Sequence, residues 1–571
     1  MPITIDGKTY TVPDVYGNVE VVNLGSAAIP AFNGLLMIFS AKQGIPYNAT
    51  GKKGYELIKA FSDIPSVKAE YGVGEASEAF AQAKKGGAGV VYMLNAASLT
   101  RAKATVKDNA GTPVTTFDIE PRIYGAVGND ISFKLEQVSS NTVVTILPPK
   151  LTKFLTANAS ASNPEISVNN VEGLAVGNTV YLCSNSYTTP QQTTIAAIDA
   201  VNNKITLAAN PASAVTTADY ARIFQEDVDN QEVGTFVTSG LTVQAIIAWI
   251  NTGKILTATR GSYTGVVPTA TSKTYIQAFA SATKGTSPDA TTTTGGDYDL
   301  VAEKLPLLFE EFTNYTKARI RIINVITPVA GVHTSYKTIA ISLRNINYSI
   351  INVFGCAVGD INLATSEAAY PIKRAQALNS DDCILVGSGI DGKAAYLSSA
   401  PQFAGWLSGN TVRKNTTWDS IQASSVEKFF GESNRDTALK LFVDSGVIVF
   451  RTTEDGFYVA QGLTTYQDHS MIWNSSEKKT YLIMQRQIVD FVEEGYRKQM
   501  KIALKDDNLT VAGAVNMGET ILKKYAAEGF IEEDFTVTGY QEGNAIITEP
   551  IFRPINSNDF VGYKMKVIIK N

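Results

Sequence analysis

Ala318-Arg-Ile-Arg-Ile-Ile-Asn-Val-Ile326 is a nearly continuous apolar run, and the stretches after it repeat its logic. Tyr336 to Asn347 has helical texture, and Tyr348-Ser-Ile-Ile-Asn-Val-Phe354 is a second apolar run. Pro371 to Leu378 predicts a helix, Cys383-Ile-Leu-Val386 a strand and Val447-Ile-Val-Phe450 another. Apolar strands separated by helical segments imply βαβ crossovers and a doubly wound, mostly parallel sheet buried on both faces. Upstream, Tyr298 to Phe312 predicts a helix kinked at Pro306.

Further upstream the texture changes. Residues 257–297 are dominated by Ser, Thr, Gly and Ala and read as a flexible surface loop. Before them, Val143-Val-Thr-Ile-Leu147, Glu165-Ile-Ser-Val168, Thr179-Val-Tyr-Leu182, Thr193-Thr-Ile-Ala196 and Lys204-Ile-Thr-Leu207 recur with turn residues between, the pattern of an all-β sandwich or barrel. Nearer the amino terminus, Gly34-Leu-Leu-Met-Ile-Phe-Ser40 and Val90-Val-Tyr-Met-Leu94 predict buried strands, and Tyr55 to Phe61 and Ala76 to Lys85 short helices. Downstream, Asp455-Gly456 predicts a hairpin into Phe457-Tyr-Val-Ala460. Lys478 to Leu504 predicts a long amphipathic helix with Tyr481, Met484, Ile488, Val492, Tyr496 and Met500 on one face. Thr510 to Glu528 is a second helix closed by Gly529, and Phe535 to Thr538 and Ala545 to Thr548 are extended.

Both tails have strand texture. Ile3-Thr-Ile5, Asp6-Gly7 and Lys8-Thr-Tyr-Thr-Val12 predict a hairpin, and Val19, Val21 and Val22 lie in one more extended stretch. Tyr563-Lys-Met-Lys-Val-Ile-Ile-Lys-Asn571 alternates apolar and cationic residues and then runs apolar, placing Tyr563, Met565, Val567, Ile568 and Ile569 in a strand that needs a neighbour. Two readings are open: the tails add edge strands to their own domain, or they exchange strands between copies.

The 571 residues span about three to five domains at roughly 100–200 residues each. Forty-nine basic against fifty-four acidic residues leave a net charge of −5, unlike the basic face of a nucleic-acid binder. Cys183, Cys356 and Cys383 are too scattered for a disulfide framework or a metal site and read as small buried hydrophobes. The opening residues lack the pattern of a secretory signal, and no apolar run reaches the ~18 residues of a membrane helix.

Local motifs for chemistry are thin. Gly387-Ser-Gly-Ile-Asp-Gly-Lys393 follows a predicted strand and matches both G-x-G-x-x-G and the start of a P-loop. Ala394 stands where a Mg²⁺-binding hydroxyl belongs, Pro401 shortens the next helix, and Asn410-Thr-Val-Arg413 lacks a ribose-binding acid. The stretch reads as a tight strand-to-helix turn. His333, after a strand end, reads as a solvated loop histidine; Ser388 offers a nucleophile for a degenerate hydrolase but lacks the G-x-S-x-G elbow. His469 beside Asp468 is one ligand pair short of a metal site. Glu310-Glu311 and Glu493-Glu494 read as solvated helix faces, and Glu532-Glu533-Asp534 as an acidic tract suited to a neighbouring subunit's basic residues. No catalytic, cofactor-binding or metal residue is assigned.

The order of segments resembles the contractile tail sheath proteins of myovirus-type bacteriophages and related injection machines. The resemblance is carried by Pro13-Asp-Val-Tyr-Gly-Asn-Val-Glu-Val-Val22, Gly34 to Gly44, Lys84-Lys-Gly-Gly-Ala-Gly-Val-Val-Tyr-Met93 and Ile123-Tyr-Gly-Ala-Val-Gly-Asn-Asp-Ile131. Thr294-Gly-Gly-Asp-Tyr298, Asn558-Asp-Phe-Val561 and Lys566-Val-Ile-Ile569 match in placement, and Asp14 stands where the family has Gly. The resemblance implies multidomain α/β and all-β architecture: an amino-terminal arm (1–25), a small α/β part of the inner core (26–114), an inserted β-sandwich (115–235), a subtilisin-like α/β domain without catalytic residues (236–455), a C-terminal α+β core (456–555) and a β-arm (556–571). It further implies hexameric rings stacked into a helical sheath by strand exchange through Val19, Val21, Val22, Tyr563, Met565, Val567, Ile568 and Ile569. Its partners would be copies of itself, an inner tail tube, a baseplate and a tail terminator, in a virion tail assembled in the host cytoplasm, with no nucleic acid, no membrane insertion and no cofactor. The rival reading is a cytosolic α/β enzyme, an NTPase using Gly392 and Lys393 or a hydrolase using His333 and Ser388.

Overall fold

A computed structural model describes residues 3–5, 8–10 and 34–555, apart from 109–113, 187–188, 262–267, 269–270, 280–281, 285, 287–294, 418, 429–434, 470–472, 475–478, 504–508 and 544. It is a mixed α/β structure with several sheets, dividing into two compact units. The described residues within 1–38, 79–93 and 302–571 form the first, and those within 39–78 and 94–301 the second.

In the first unit the quoted run is the strand Ile320–Val325, every residue of it buried. Ile351–Gly355 and Cys383–Val386 are equally buried, as strands covered on both faces must be. The strands lie side by side in the order Val447–Ile448, Cys383–Val386, Ile351–Gly355, Ile320–Val325, Gly34–Phe39, Val91–Asn95. Pairing is parallel from Val447–Ile448 to Gly34–Phe39, with Ile323 opposite both Leu36 and Asn352. The earliest of these strands sits inside the sheet and later ones are added on both sides. The expected separation of 26–114 from 236–455 is not present: Gly34–Phe39 and Val91–Asn95 share a sheet with Ile320–Val325, because a buried parallel strand needs neighbours on both edges.

Helices Ala330–Asn345, Pro371–Leu378 and Ser399–Gly409 connect or follow these strands. Glycines set one close crossing: a Cβ at Gly405 would collide with the Ala83 carbonyl oxygen, and one at Gly86 with that of Gln402. The helix around Pro306 runs unbroken from Gly295 to Thr316.

The C-terminal part of this unit follows the periodicity. The long helix is Ile483–Ala503, starting later than expected, and Met484, Ile488, Val492 and Tyr496 join Ile521, Leu522, Tyr525, Phe530 and Val537 in one core. Thr510 caps the helix Val511–Ala527 by accepting from Gly513 N at 3.1 Å, and Gly529 beyond its end adopts φ +71°. Thr536–Glu542 and Ala545–Ile551 form an antiparallel hairpin against that helix.

The second unit holds the β-rich module. Pro149–Phe154, Arg222–Glu226, Thr179–Cys183, Gln191–Asp199, Lys204–Leu207 and Glu165–Ser167 make a six-stranded antiparallel sheet in that order, over a core that includes Val180, Leu182, Ile195 and Ile223. A four-stranded sheet (Glu232–Val237, Asn141–Leu147, Ser132–Val138, Thr271–Tyr275) and a three-stranded one (Leu256–Arg260, Thr115–Pro121, Ala104–Lys107) enclose a second core with the helix Val243–Thr252. Arg222 and Asp130, both fully buried, pair through two 2.6 Å contacts, and Arg222 also donates to Asn185 and Gln277. Burial pushes the Asp130 carboxyl up, opposed by the Arg222 guanidinium.

Three expectations are corrected here. The β-module extends past 235, because Val243–Thr252 and Leu256–Arg260 complete its apolar core. Residues 257–297 are not one loop: Leu256–Arg260 pairs with Thr115–Pro121 and Thr271–Tyr275 with Ser132–Val138, β-branched Thr serving as well in a ladder as in a linker. Tyr55 to Phe61 is a one-turn helix, Gly54–Leu57, followed by the strand Lys59–Phe61.

Candidate functional site

Ligands of a doubly wound sheet bind outside the carboxyl ends of its strands, where His333, Ser388 and the Gly387–Lys393 stretch all lie. His333 is on the first turn of Ala330–Asn345 rather than on a solvated loop, and it is 1% exposed. Its Nε2 donates to the Thr327 carbonyl at 2.8 Å, and its ring stacks on Phe354 with centroids 4.3 Å apart. Burial pulls the imidazole down to about 3, so it is neutral and a poor general base near pH 7. Ser388 is fully buried, and its hydroxyl has no hydrogen-bond partner among the described residues.

The Gly387–Lys393 stretch folds on itself. Lys393 N donates to Ile390 O at 3.0 Å, and Asp391 and Gly392 adopt φ +53° and +72°. A phosphate cradle needs inward backbone N–H groups running straight into a helix. Here Gly389 N donates to Glu427 Oε2 at 3.1 Å, Ile390 N to Ser398 Oγ at 3.2 Å, and the next α-helix starts only at Ser399. The turn reading holds.

His469 donates from Nε2 to Tyr466 O at 2.9 Å and stacks on Tyr481. Among the described residues no group of three His, Cys, Asp or Glu is placed to hold a metal ion. Glu494 corrects the solvated-face reading of Glu493-Glu494: it is 3% exposed and meets Arg319, Arg321 and Lys498. Arg319 and Arg321 inside an apolar strand were the available signal, since a buried guanidinium demands an acid. Within its own chain Asp534 lies 3.6 Å from Arg553.

What remains is an edge. Thr536–Glu542 pairs with Ala545–Ile551 from Thr536 opposite Ile551 to Glu542 opposite Ala545, and among the described residues no third strand joins them. Val537 and Ile547 are buried against the helices, whereas Tyr540 and Ile551 are 46% and 62% exposed. Beyond the hairpin, Glu532 N donates to Arg553 O and Ile555 N to Phe530 O, so the chain is tied down as far as Ile555. At the other terminus Ile3–Ile5 pairs with Lys8–Tyr10, Ile5 opposite Lys8, as the Asp-Gly signal predicts. Val19, Val21, Val22, Tyr563, Met565, Val567, Ile568 and Ile569 lie outside the described residues.

No family model matches the chain, and no curated protein matches it. Among solved structures, a sheath tail protein from Desulfitobacterium hafniense is similar over 94% of this chain and 100% of its own, with a TM-score of 0.48 and 11% identity. The anti-feeding prophage baseplate is similar over 50% of this chain and 76% of its own (TM-score 0.35, 14% identity). The anti-feeding prophage helical sheath in its contracted state is similar over 49% and 77% (TM-score 0.35, 12% identity).

Proposed function

We propose that this chain is a structural subunit of a contractile tail sheath, polymerising around an inner tube through its two terminal arms. The observation that carries the reading is the Thr536–Glu542 and Ala545–Ile551 hairpin: a two-stranded sheet, anchored on a helical core, with no third strand among the described residues. Unpaired strand edges take up further strands, and the sequence offers them in Val19 to Val22 and Tyr563 to Ile569. On this reading residues 1–25 and 556–571 are exchanged between copies in stacked rings, with baseplate and tail terminator at the ends, and the particle is a virion tail or a related injection device. Contraction releases energy stored at assembly, with no nucleotide, because subunits gain buried and charge-matched contacts while the exchanged strands stay paired. Against the enzyme reading, His333 is buried and neutral, and Gly389 N is taken by Glu427.

Negative-stain electron microscopy of the purified full chain tests this. Long hollow cylinders are expected, and removing residues 1–25 or 556–571 should leave dispersed subunits. Cylinders that persist without both arms, or a full chain that stays monomeric at every concentration, would count against the proposal.

A further inference from the structure

At the carboxyl edge of the parallel sheet, one side chain sits where a ligand would. Glu427 Oε1 accepts from Gly359 N at 2.7 Å, in the turn after Ile351–Gly355. Its Oε2 accepts from Gly389 N at 3.1 Å, in the turn after Cys383–Val386. Two amides from two different loops thus converge on the two oxygens of one carboxylate, as donors converge on a bound oxyanion.

The chain brings Glu427 there on a strap. Glu427 N donates to Gly389 O at 2.9 Å, and Ile390 bridges Val426. Asp391 Oδ1 accepts from Ser424 N, Ser424 Oγ and Ser425 N at 2.7, 2.7 and 3.1 Å, and Asn362 Nδ2 donates to Lys428 O at 3.0 Å. Gln402 and Gln422 exchange a pair of hydrogen bonds at 2.8 and 3.0 Å. Asp360, next to Gly359, accepts from Ala357 N and lies 3.4 Å from Arg374, which offsets its charge. Glu427 itself is only partly buried.

We infer that the amides of Gly359 and Gly389 form an oxyanion-binding site, which the chain fills with its own Glu427 as an internal ligand. The Gly387–Lys393 turn is then closed to outside phosphate by occupation as well as by shape. An exogenous oxyanion enters only when the Glu427 carboxylate is withdrawn.

The test uses the full chain as wild type, Glu427→Ala and Glu427→Gln, melted in increasing inorganic phosphate against chloride at matched ionic strength. Wild type should respond to phosphate no more than to chloride. Glu427→Ala should melt lower and regain stability saturably, by roughly 2 °C, as phosphate replaces the missing carboxylate. A folded Glu427→Ala that behaves as wild type, or a wild type that gains as much as the variant, would overturn the inference. If the alanine variant does not fold, Glu427→Gln decides by hydrogen exchange. Its amide accepts through a single oxygen, so one of the Gly359 and Gly389 amides should exchange about tenfold faster than in wild type, and unchanged rates at both would equally sink the idea.

Discussion

Glu494 Oε1, on the long Ile483–Ala503 helix, lies 2.8 Å from Arg319 Nη1 at the start of the central parallel strand, with both side chains buried. The same carboxylate meets Arg321 and, at 2.9 Å, Lys498. About two turns back, Arg486 reaches Asp381 at 3.0 Å and pairs with Asp490, while Arg344 reaches Asp381 and Asp382. Burial would raise the Asp490 carboxyl, but Arg486 and Arg344 overcome it and hold it below its ordinary value. The hairpin-bearing helices are therefore fastened to the sheet by ion pairs. Such pairs add little net stability over an apolar seam, yet fix one docking geometry and are costly to break singly.

Glu494→Gln should accordingly destabilise the protein by about 3–5 kcal/mol, because Arg319 and Arg321 would be left buried around a neutral group. Urea denaturation read by circular dichroism measures this. A loss below about 1 kcal/mol would mean the guanidinium groups find water.

His333 predicts an acid limb. The unfolded histidine binds a proton below about pH 6.5, whereas the folded one resists until about 3. Its contribution is complete above about pH 6.5 and drains as the pH falls towards 3, at about 1.4 kcal/mol per pH unit. Between pH 7 and 5, wild type should lose about 2 kcal/mol more than His333→Gln. Parallel stability profiles for the two proteins would contradict this.

Two glycine substitutions should have opposite signs. Gly405→Ala drives a methyl into the Ala83 carbonyl, and an overpacking cost of roughly 1–3 kcal/mol exceeds the gain of about 1 kcal/mol in helix propensity. At Gly331, also helical, a Cβ meets nothing within 4 Å, so Gly331→Ala should be neutral or stabilise by up to about 1 kcal/mol. Thermal melts of the two variants give the comparison directly.

Val567→Asp places a charge in the C-terminal alternating stretch. It should abolish polymerisation in sedimentation and negative stain while leaving the far-ultraviolet spectrum and melting temperature unchanged. A variant that lost its fold as well would show that this segment belongs to its own subunit's core.

Signals contained within one segment are legible in the sequence. Pro371–Leu378 and Cys383–Val386 match their sequence bounds, because proline at a helix start and a short apolar run between turn residues are self-contained signals. The pairing of Ile3–Ile5 with Lys8–Tyr10 and the hairpin at Asp455-Gly456 followed from turn chemistry, and the long helix face from its period. The Arg319 and Arg321 pattern was visible too, but its partner lies more than 170 residues away in Glu494, beyond any local period.

Tertiary structure alone decided the rest. Residues Gly34–Phe39 pair with Ile320–Val325 because each is an almost wholly buried strand that needs a ladder on both edges, and the chain between them carries no mark of that choice. Thr271–Tyr275 looked like linker until Ser132–Val138 supplied a strand to bond. His333 and Glu494 looked solvated, and Glu427 did not stand out at all. Their roles are set by which surfaces meet: composition and periodicity dictate what each segment can form, while burial and hydrogen-bond satisfaction, settled only when distant segments pack, dictate what each side chain becomes.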